Sequence, residues 1–163
     1  MPDWSASMKQ TYEYYIVDPD TWKDTKLLDT VKACTINRDS DSDTLGSATI
    51  DITNSVGECY IRAYLVTVQN GITEKHALGT VLVQTPSSSF DGKIRTVSMD
   101  AYTPLLELKE SPPPLGYYIT RGEKILDLAY RLTREHMRAP VVRTDSSKTL
   151  TNNFVASTDD TWL

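Results

Sequence analysis

VTVQNGITEKHALGTVLV, Val66 to Val83, is the stretch whose reading decides the fold. Runs rich in valine and leucine flank Asn70-Gly71. Asn-Gly supplies the two positive-φ residues of a type I′ turn, whose twist suits the two strands of a hairpin. With strict alternation, that turn predicts Val68 opposite Thr73, Leu65 opposite His76 and Ala63 opposite Leu78. Ile61, Ala63, Leu65, Leu78 and Leu82 then share one face, and Tyr60, Tyr64, Val66, Val68, Val81 and Val83 share the other. Neither face is plainly polar, whereas a sheet wet on one side alternates more cleanly. Part of the hairpin is therefore expected to be covered on both sides, by a second sheet, by its own domain or by another chain.

Outward from the hairpin, further segments read as strands by alternation and β-propensity: Tyr12 to Val17, Thr30 to Asn37, Ala48 to Thr53 and Lys93 to Ala101. Asp18-Pro19-Asp20 and the acidic run Asp39 to Asp43 read as turns, and Pro86 to Gly92 as a loop around three serines. Thr103-Pro104 starts a short helix through Leu105, Leu106 and Leu108. Ser111 to Gly116 (SPPPLG) is a semi-rigid linker. After it, Thr120 and Glu123 stand at capping-box spacing, and Ile125, Leu128, Ala129, Leu132 and His136 recur at helical spacing. A helix is predicted over about residues 121–138, stopped by Pro140. The chain is thus expected to be mainly β with one long α-helix. Its segments are a flexible N-terminus (1–10), a β domain (11–110), a proline-rich linker (111–119), and a helix with a polar tail that starts a second domain (120–163).

The 163 residues are 39% hydrophobic and carry a net charge of −5. That charge is uneven: residues 1–60 hold 11 acidic and 5 basic residues, a net −6, and the remainder 11 acidic and 12 basic, a net +1. The acidic first part argues against broad nucleic-acid binding, which needs clustered Lys and Arg. Opposite-signed parts favour head-to-tail contact between copies. Nine Tyr against two Phe suit half-buried strands and interfaces. Cys34 and Cys59 do not make a disulfide framework and read as buried free thiols. Met1 to Gln10 has no apolar run of the signal-peptide kind, and no stretch approaches a membrane helix.

Residues that carry chemistry are sparse. His76 and His136 lack metal spacing and partners, and read as a strand residue and a helix C-terminal residue favoured by the macrodipole. Asp39-Ser40-Asp41-Ser42-Asp43 opens like a calcium loop but has Thr44 where Gly belongs and Ile50 where Glu belongs. Carboxylate pairs such as Glu107/Glu110 and Asp159/Asp160 are local. No nucleophile elbow, Walker loop or dinucleotide fingerprint is present. No catalytic residue, cofactor or metal is expected. Arg131, Arg134 and Arg138 form a basic stripe on the predicted helix, either a solvated face or an inter-subunit ion-pair surface. The candidate subunit interface is Tyr60, Tyr64, Val66, Val81 and Val83 on the hairpin, together with the three arginines.

The order of elements adds a resemblance. A Trp-containing connection leads into TINRDSDSDTLGSATIDITN, then the hairpin IRAYLVTV with ALGTVLVQTP. A strand ending MDAYTPLLELKES, the proline linker and the helix ITRGEKILDLAYRLTREH follow. Over about Tyr12 to Pro140 this resembles the amino-terminal part of bacteriophage tail hub proteins of baseplates and tail tips. The resemblance implies small antiparallel β-barrels in a homotrimeric ring that closes the distal end of the tail tube. It also implies tail-tube, distal-tail and tape-measure proteins as partners, passive contact with DNA during ejection, and a place in the virion after synthesis in the host cytoplasm. Hub chains continue with further domains where this one stops at Leu163, so a fragment or a separate chain for the rest is expected. Two rivals are a carbohydrate-binding module using Tyr60, Tyr64, Tyr117, Tyr118 and the Trp residues, and a wall-degrading enzyme fragment.

Overall fold

The computed structural model describes residues 2–54, 56–93, 95–157 and 159–163. Met1, Ile94 and Thr158, which fall in the expected N-terminus, fourth outer strand and polar tail, lie outside the described residues. The chain forms two compact units, Met1–Asp39 with Gly46–Thr103, and Ser40–Leu45 with Pro104–Leu163.

The first unit is one antiparallel sheet of seven strands: β1 (Lys9–Val17), β2 (Asp24–Leu27), β3 (Val31–Arg38), β4 (Gly46–Ile52), β5 (Cys59–Gln69), β6 (Ile72–Phe90) and β7 (Arg95–Tyr102). Their order is β2-β1-β5-β6-β7-β4-β3. Alternation positions the core. In β4 Ala48, Ile50 and Ile52 are buried while Thr49 is exposed, and in β7 Val97, Met99 and Ala101 point the same way. These side chains cluster with Leu28, Ile61, Val81 and Val83. Burying each of the larger ones contributes about 1.5–3 kcal/mol. The sheet curls around this cluster far enough that Tyr14 of β1 and Cys34 of β3, from strands at opposite sides of the order, both pack on it. The Tyr14 hydroxyl and the Cys34 thiol interact there. No pairing joins β2 to β3 among the described residues, so the sheet stays open. The barrel implied by the resemblance is corrected to an open, curled sheet.

The hairpin forms about Asn70 (φ 51°) and Gly71 (φ 76°), the signs a type I′ turn requires. Val68 faces Thr73 and Leu65 faces His76, as the turn dictates. The register then shifts: Ala63 faces Gly79, not Leu78. Leu78 is the extra residue of a β-bulge, and its carbonyl accepts from the Arg38 guanidinium. Beyond the bulge the faces of β6 exchange. Val81 and Val83 join Ile61 and Cys59 on the core side, and Leu82 joins Tyr60 on the other.

A second irregularity lies between Gln84 and Pro86 in the β6–β7 ladder, which runs from Leu82 to Phe90 and continues past the β5–β6 pairing that ends at Val83. Proline cannot donate to a ladder, and a bulge is where a strand tolerates it. The loop expected at Pro86–Gly92 is therefore strand over most of its length. β2, a charged tetrapeptide, pairs with the end of β1. The segment before β1 is also tied down: Asp3 N–H donates to Gln69 Oε1 at 2.8 Å, and the Gln69 amide donates back to the Asp3 carbonyl at 3.0 Å.

The second unit contains α1 (Leu106–Glu110), β8 (Tyr118–Ile119), α2 (Ile125–His136) and β9 (Phe154–Val155). Leu106, Leu108 and Leu128 are buried in it. The expected boundary at the proline run falls inside this unit. β8 and β9 pair antiparallel, and the ladder continues through the Lys124–Thr149 bridge. α2 has 12 residues and starts at Ile125, with no side-chain cap. The long helix over 121–138 is thereby shortened at both ends. Gly122 has a φ of 89°, which breaks helical geometry, and Glu123 N–H bonds the Thr120 carbonyl in a turn instead of a capping box. Ile125, read as a core position, is exposed. The tail is anchored by Trp162, whose ring stacks on His136 at 4.4 Å and meets Tyr117 edge-on at 4.8 Å. His136 is thus a packing plate.

Candidate assembly surfaces

The outward side of β1, β5 and β6 carries a compact polar and aromatic cluster. Glu13 lies opposite Tyr64, and Tyr15 opposite Arg62, in the β1–β5 ladder. The Lys75 ammonium sits 3.8 Å from the Tyr15 ring centroid and 4.1 Å from that of Tyr64, and pairs with Glu13 at 3.0 Å. The two tyrosine rings meet edge to face at 5.8 Å. Tyr15 donates to Glu13 at 3.0 Å and Tyr64 to Asp24 Oδ2 at 2.7 Å. Arg62 holds the other Asp24 oxygen at 2.8 Å and reaches Thr80 and the Trp22 carbonyl.

The electrostatics follow from these contacts. The hydrogen bond from Lys75, then that from Tyr15, holds the Glu13 carboxyl below the usual range. Burial, the largest single influence, opposes the Lys75 charge, but the hydrogen bonds and attraction of Glu13 and Tyr15 together outweigh it and the ammonium pKa rises. Each cation–π contact at such a site adds about 0.5–1 kcal/mol. The result is a fixed, amphipathic surface whose long side chains lose little further freedom on docking.

The hairpin members of the candidate interface divide. Val81 and Val83 belong to the core of their own unit, the latter 1% exposed, because the bulge turned them inward. Tyr60 is buried against Trp22, at 4.9 Å between centroids, and Val66 is buried as well. Tyr64 alone of the five is half-exposed. Sequence reasoning missed Glu13, Tyr15, Asp24, Arg62 and Lys75. Alternation along β1 places Glu13 and Tyr15 together, but nothing in the sequence shows that β1 lies beside β5.

On α2, Arg131, Arg134 and Arg138 are all exposed. Arg131 pairs with Glu123 at 2.7 Å, and Arg138 with Glu107 at 2.7 Å. Glu107, half of a carboxylate pair read as local, is therefore a fixed partner that also accepts from the Arg138 N–H. Asp43 of the acidic run binds Lys109 at 2.8 Å, and Asp160 accepts from the Ser157 N–H at 2.6 Å. Among the described residues no group of three His, Cys, Asp or Glu side chains is placed to hold a metal ion. Among the same residues no helix is long and apolar enough to cross a membrane. Of the tyrosines of the carbohydrate rival, Tyr60 is buried, Tyr64 is bound by Lys75 and Asp24, and Tyr117 packs on Trp162.

No family model matches the chain, and no curated protein sequence matches it. Solved structures do. The 43 kDa tail protein of prophage MuSo2 from Shewanella oneidensis superposes with a TM-score of 0.59 at 10% identity, over 94% of this chain and 45% of that one. A tail protein from Neisseria meningitidis MC58 superposes with a TM-score of 0.56 at 15% identity, over 94% of this chain and 43% of that one. The fold is thus one that these two phage tail proteins share. The chain spans less than half the length of either neighbour, and at these identities the likeness is one of fold.

Proposed function

We propose that the chain is a structural component of a bacteriophage tail, a hub subunit that closes the distal end of the tail tube as a ring of three copies. The observation that carries this reading is the likeness of fold to two tail proteins over 94% of the chain. The outward face of β1, β5 and β6 supports it: Tyr15 and Tyr64 offer large rings at low entropic cost, as interface residues do. Each copy presents that face, with Tyr64 at its centre, to a neighbour. The arginines of α2 form a second docking surface.

The same reading places tail-tube, distal-tail and tape-measure proteins against the ring, lets DNA pass without base contacts, and puts the protein in the virion after synthesis in the host cytoplasm. The part carries mechanical load and performs no reaction. Negative-stain class averages of the purified chain mixed with recombinant tail-tube protein test it. Three-fold rings capping the tube are expected. Tubes that stay uncapped at every mixing ratio overturn the reading.

A further inference from the structure

α2 and the segment 137–143 that follows it enclose a groove of about 710 Å³, within the range of ligand pockets. Four guanidiniums line it, those of Arg131, Arg134, Arg138 and Arg143, with two carboxylates, Asp127 and Glu135. Three of the four are fixed by the chain's own carboxylates: Arg131 by Glu123, Arg138 by Glu107, and Arg143 by Asp127 at 3.2 Å. Their side chains nevertheless remain 44%, 52% and 70% exposed. A guanidinium has five N–H donors and a bidentate carboxylate takes two, so donors remain for a ligand. Arg134, between them on the helix, makes no ion pair among the described residues. The other wall is apolar, made by Met137, Ala139, Pro140 and Val141.

We infer that this groove docks an acidic segment of a different protein, with a carboxylate on Arg134 and apolar side chains on the Met137–Val141 wall. The inference rests on the reading of the chain as an assembling part and names the chemistry of one partner. The chain's own acidic stretches are engaged within its fold. Asp43 is held by Lys109, Asp39 and Asp41 have partners in the chain, and Asp160 binds the Ser157 N–H. A nucleic-acid backbone fits worse, because its phosphates would pass Asp127 and Glu135 and leave the apolar wall unmatched. A peptide satisfies both halves of the lining.

Fluorescence anisotropy on the full chain at low salt tests this, with a fluorescein-labelled peptide alternating glutamate and leucine. Two further probes are its glutamine-for-glutamate counterpart and a thymidine oligonucleotide of equal charge. The glutamate peptide binds saturably, and Arg134→Gln weakens it by about tenfold or more, the worth of a charge-assisted hydrogen bond. Lys124→Gln, a cation outside the lining, leaves binding unchanged. Arg134 is exposed, so the melting temperature of the variant matches the parent and separates lost binding from lost folding. The absence of saturable binding, equal binding of the glutamine peptide, tighter binding of the oligonucleotide, or an unaffected Arg134→Gln overturns the inference. A changed sedimenting mass in Arg134→Gln also overturns it, by seating a second copy in the groove. The sedimenting mass of the parent chain tests ring formation separately, so the two failures are distinguishable.

Discussion

Val83→Ala separates a core role from an interface role at the position where the bulge matters most. Val83 is 1% exposed and packs in the cluster of Ile61, Met99 and Ala101. The substitution removes two carbons, worth about 1.6 kcal/mol at roughly 0.8 kcal/mol per buried methylene. The void left behind adds about 1 kcal/mol, because a close-packed sheet interior relaxes only partly. The loss is therefore about 2–3 kcal/mol. In a chain of this length each kcal/mol lowers the melting temperature by about 2–4 °C, so a fall of roughly 5–10 °C is expected. Urea unfolding followed by circular dichroism gives the free energy directly, with an unchanged slope showing that the unfolded state is not altered. Sedimentation of the variant gives the same mass as the parent. Val68→Ala, on the outward side near the turn, serves as the control and costs under about 0.5 kcal/mol. Undiminished stability with lost assembly would refute the register beyond Leu78 and return Val83 to the surface.

Gly46→Ala lowers stability by about 3 kcal/mol in the same urea assay. Its φ is 140° and an added Cβ would meet the Asn37 carbonyl oxygen at 2.3 Å, so the last β3–β4 pair must part. Gly71→Val costs only about 1–2 kcal/mol, since its φ of 76° is strained for a branched side chain but the space around it is open. Glu13 is more acidic folded than unfolded, so its contribution is present above pH 4.5 and is lost as pH falls through the lowered value. Lys75→Met should flatten that acid limb in a pH series of melting temperatures. The Tyr14 hydroxyl is pushed up to about 12, by burial first and then by Cys34. The unfolded chain therefore loses that proton first, and stability declines between about pH 10 and pH 12, a decline that Tyr14→Phe reduces.

Local rules with short reach were legible in the sequence. Asn70-Gly71 dictated the hairpin and its first six pairs, and alternation dictated the inward residues of β4 and β7. The bulge was harder to see, although a signal existed. Gly79 interrupts a strand that is otherwise branched and apolar, and an isolated strand glycine marks bulges. Ignoring it put Val81 and Val83 on the wrong face, because a one-residue slip reverses every side chain beyond it. Pro86 read as a terminator since most strand positions need an N–H, whereas here a register shift between Gln84 and Pro86 accommodates it within the β6–β7 ladder. The false capping box at Thr120 shows the converse. Spacing alone was right, but the positive φ of Gly122 made the segment a turn. The Lys75 cluster was illegible because its members come from β1, β5 and β6 and from Asp24 of β2, brought together only by strand order.

The central claim is that this chain closes into a ring through its outward tyrosine face. Sedimentation velocity of the full chain across a concentration series measures that most directly. The account predicts a species of three times 18.3 kDa that Tyr64→Asp converts to single chains without lowering the melting temperature by more than a few degrees. A parent protein that sediments as single chains at every concentration would contradict it.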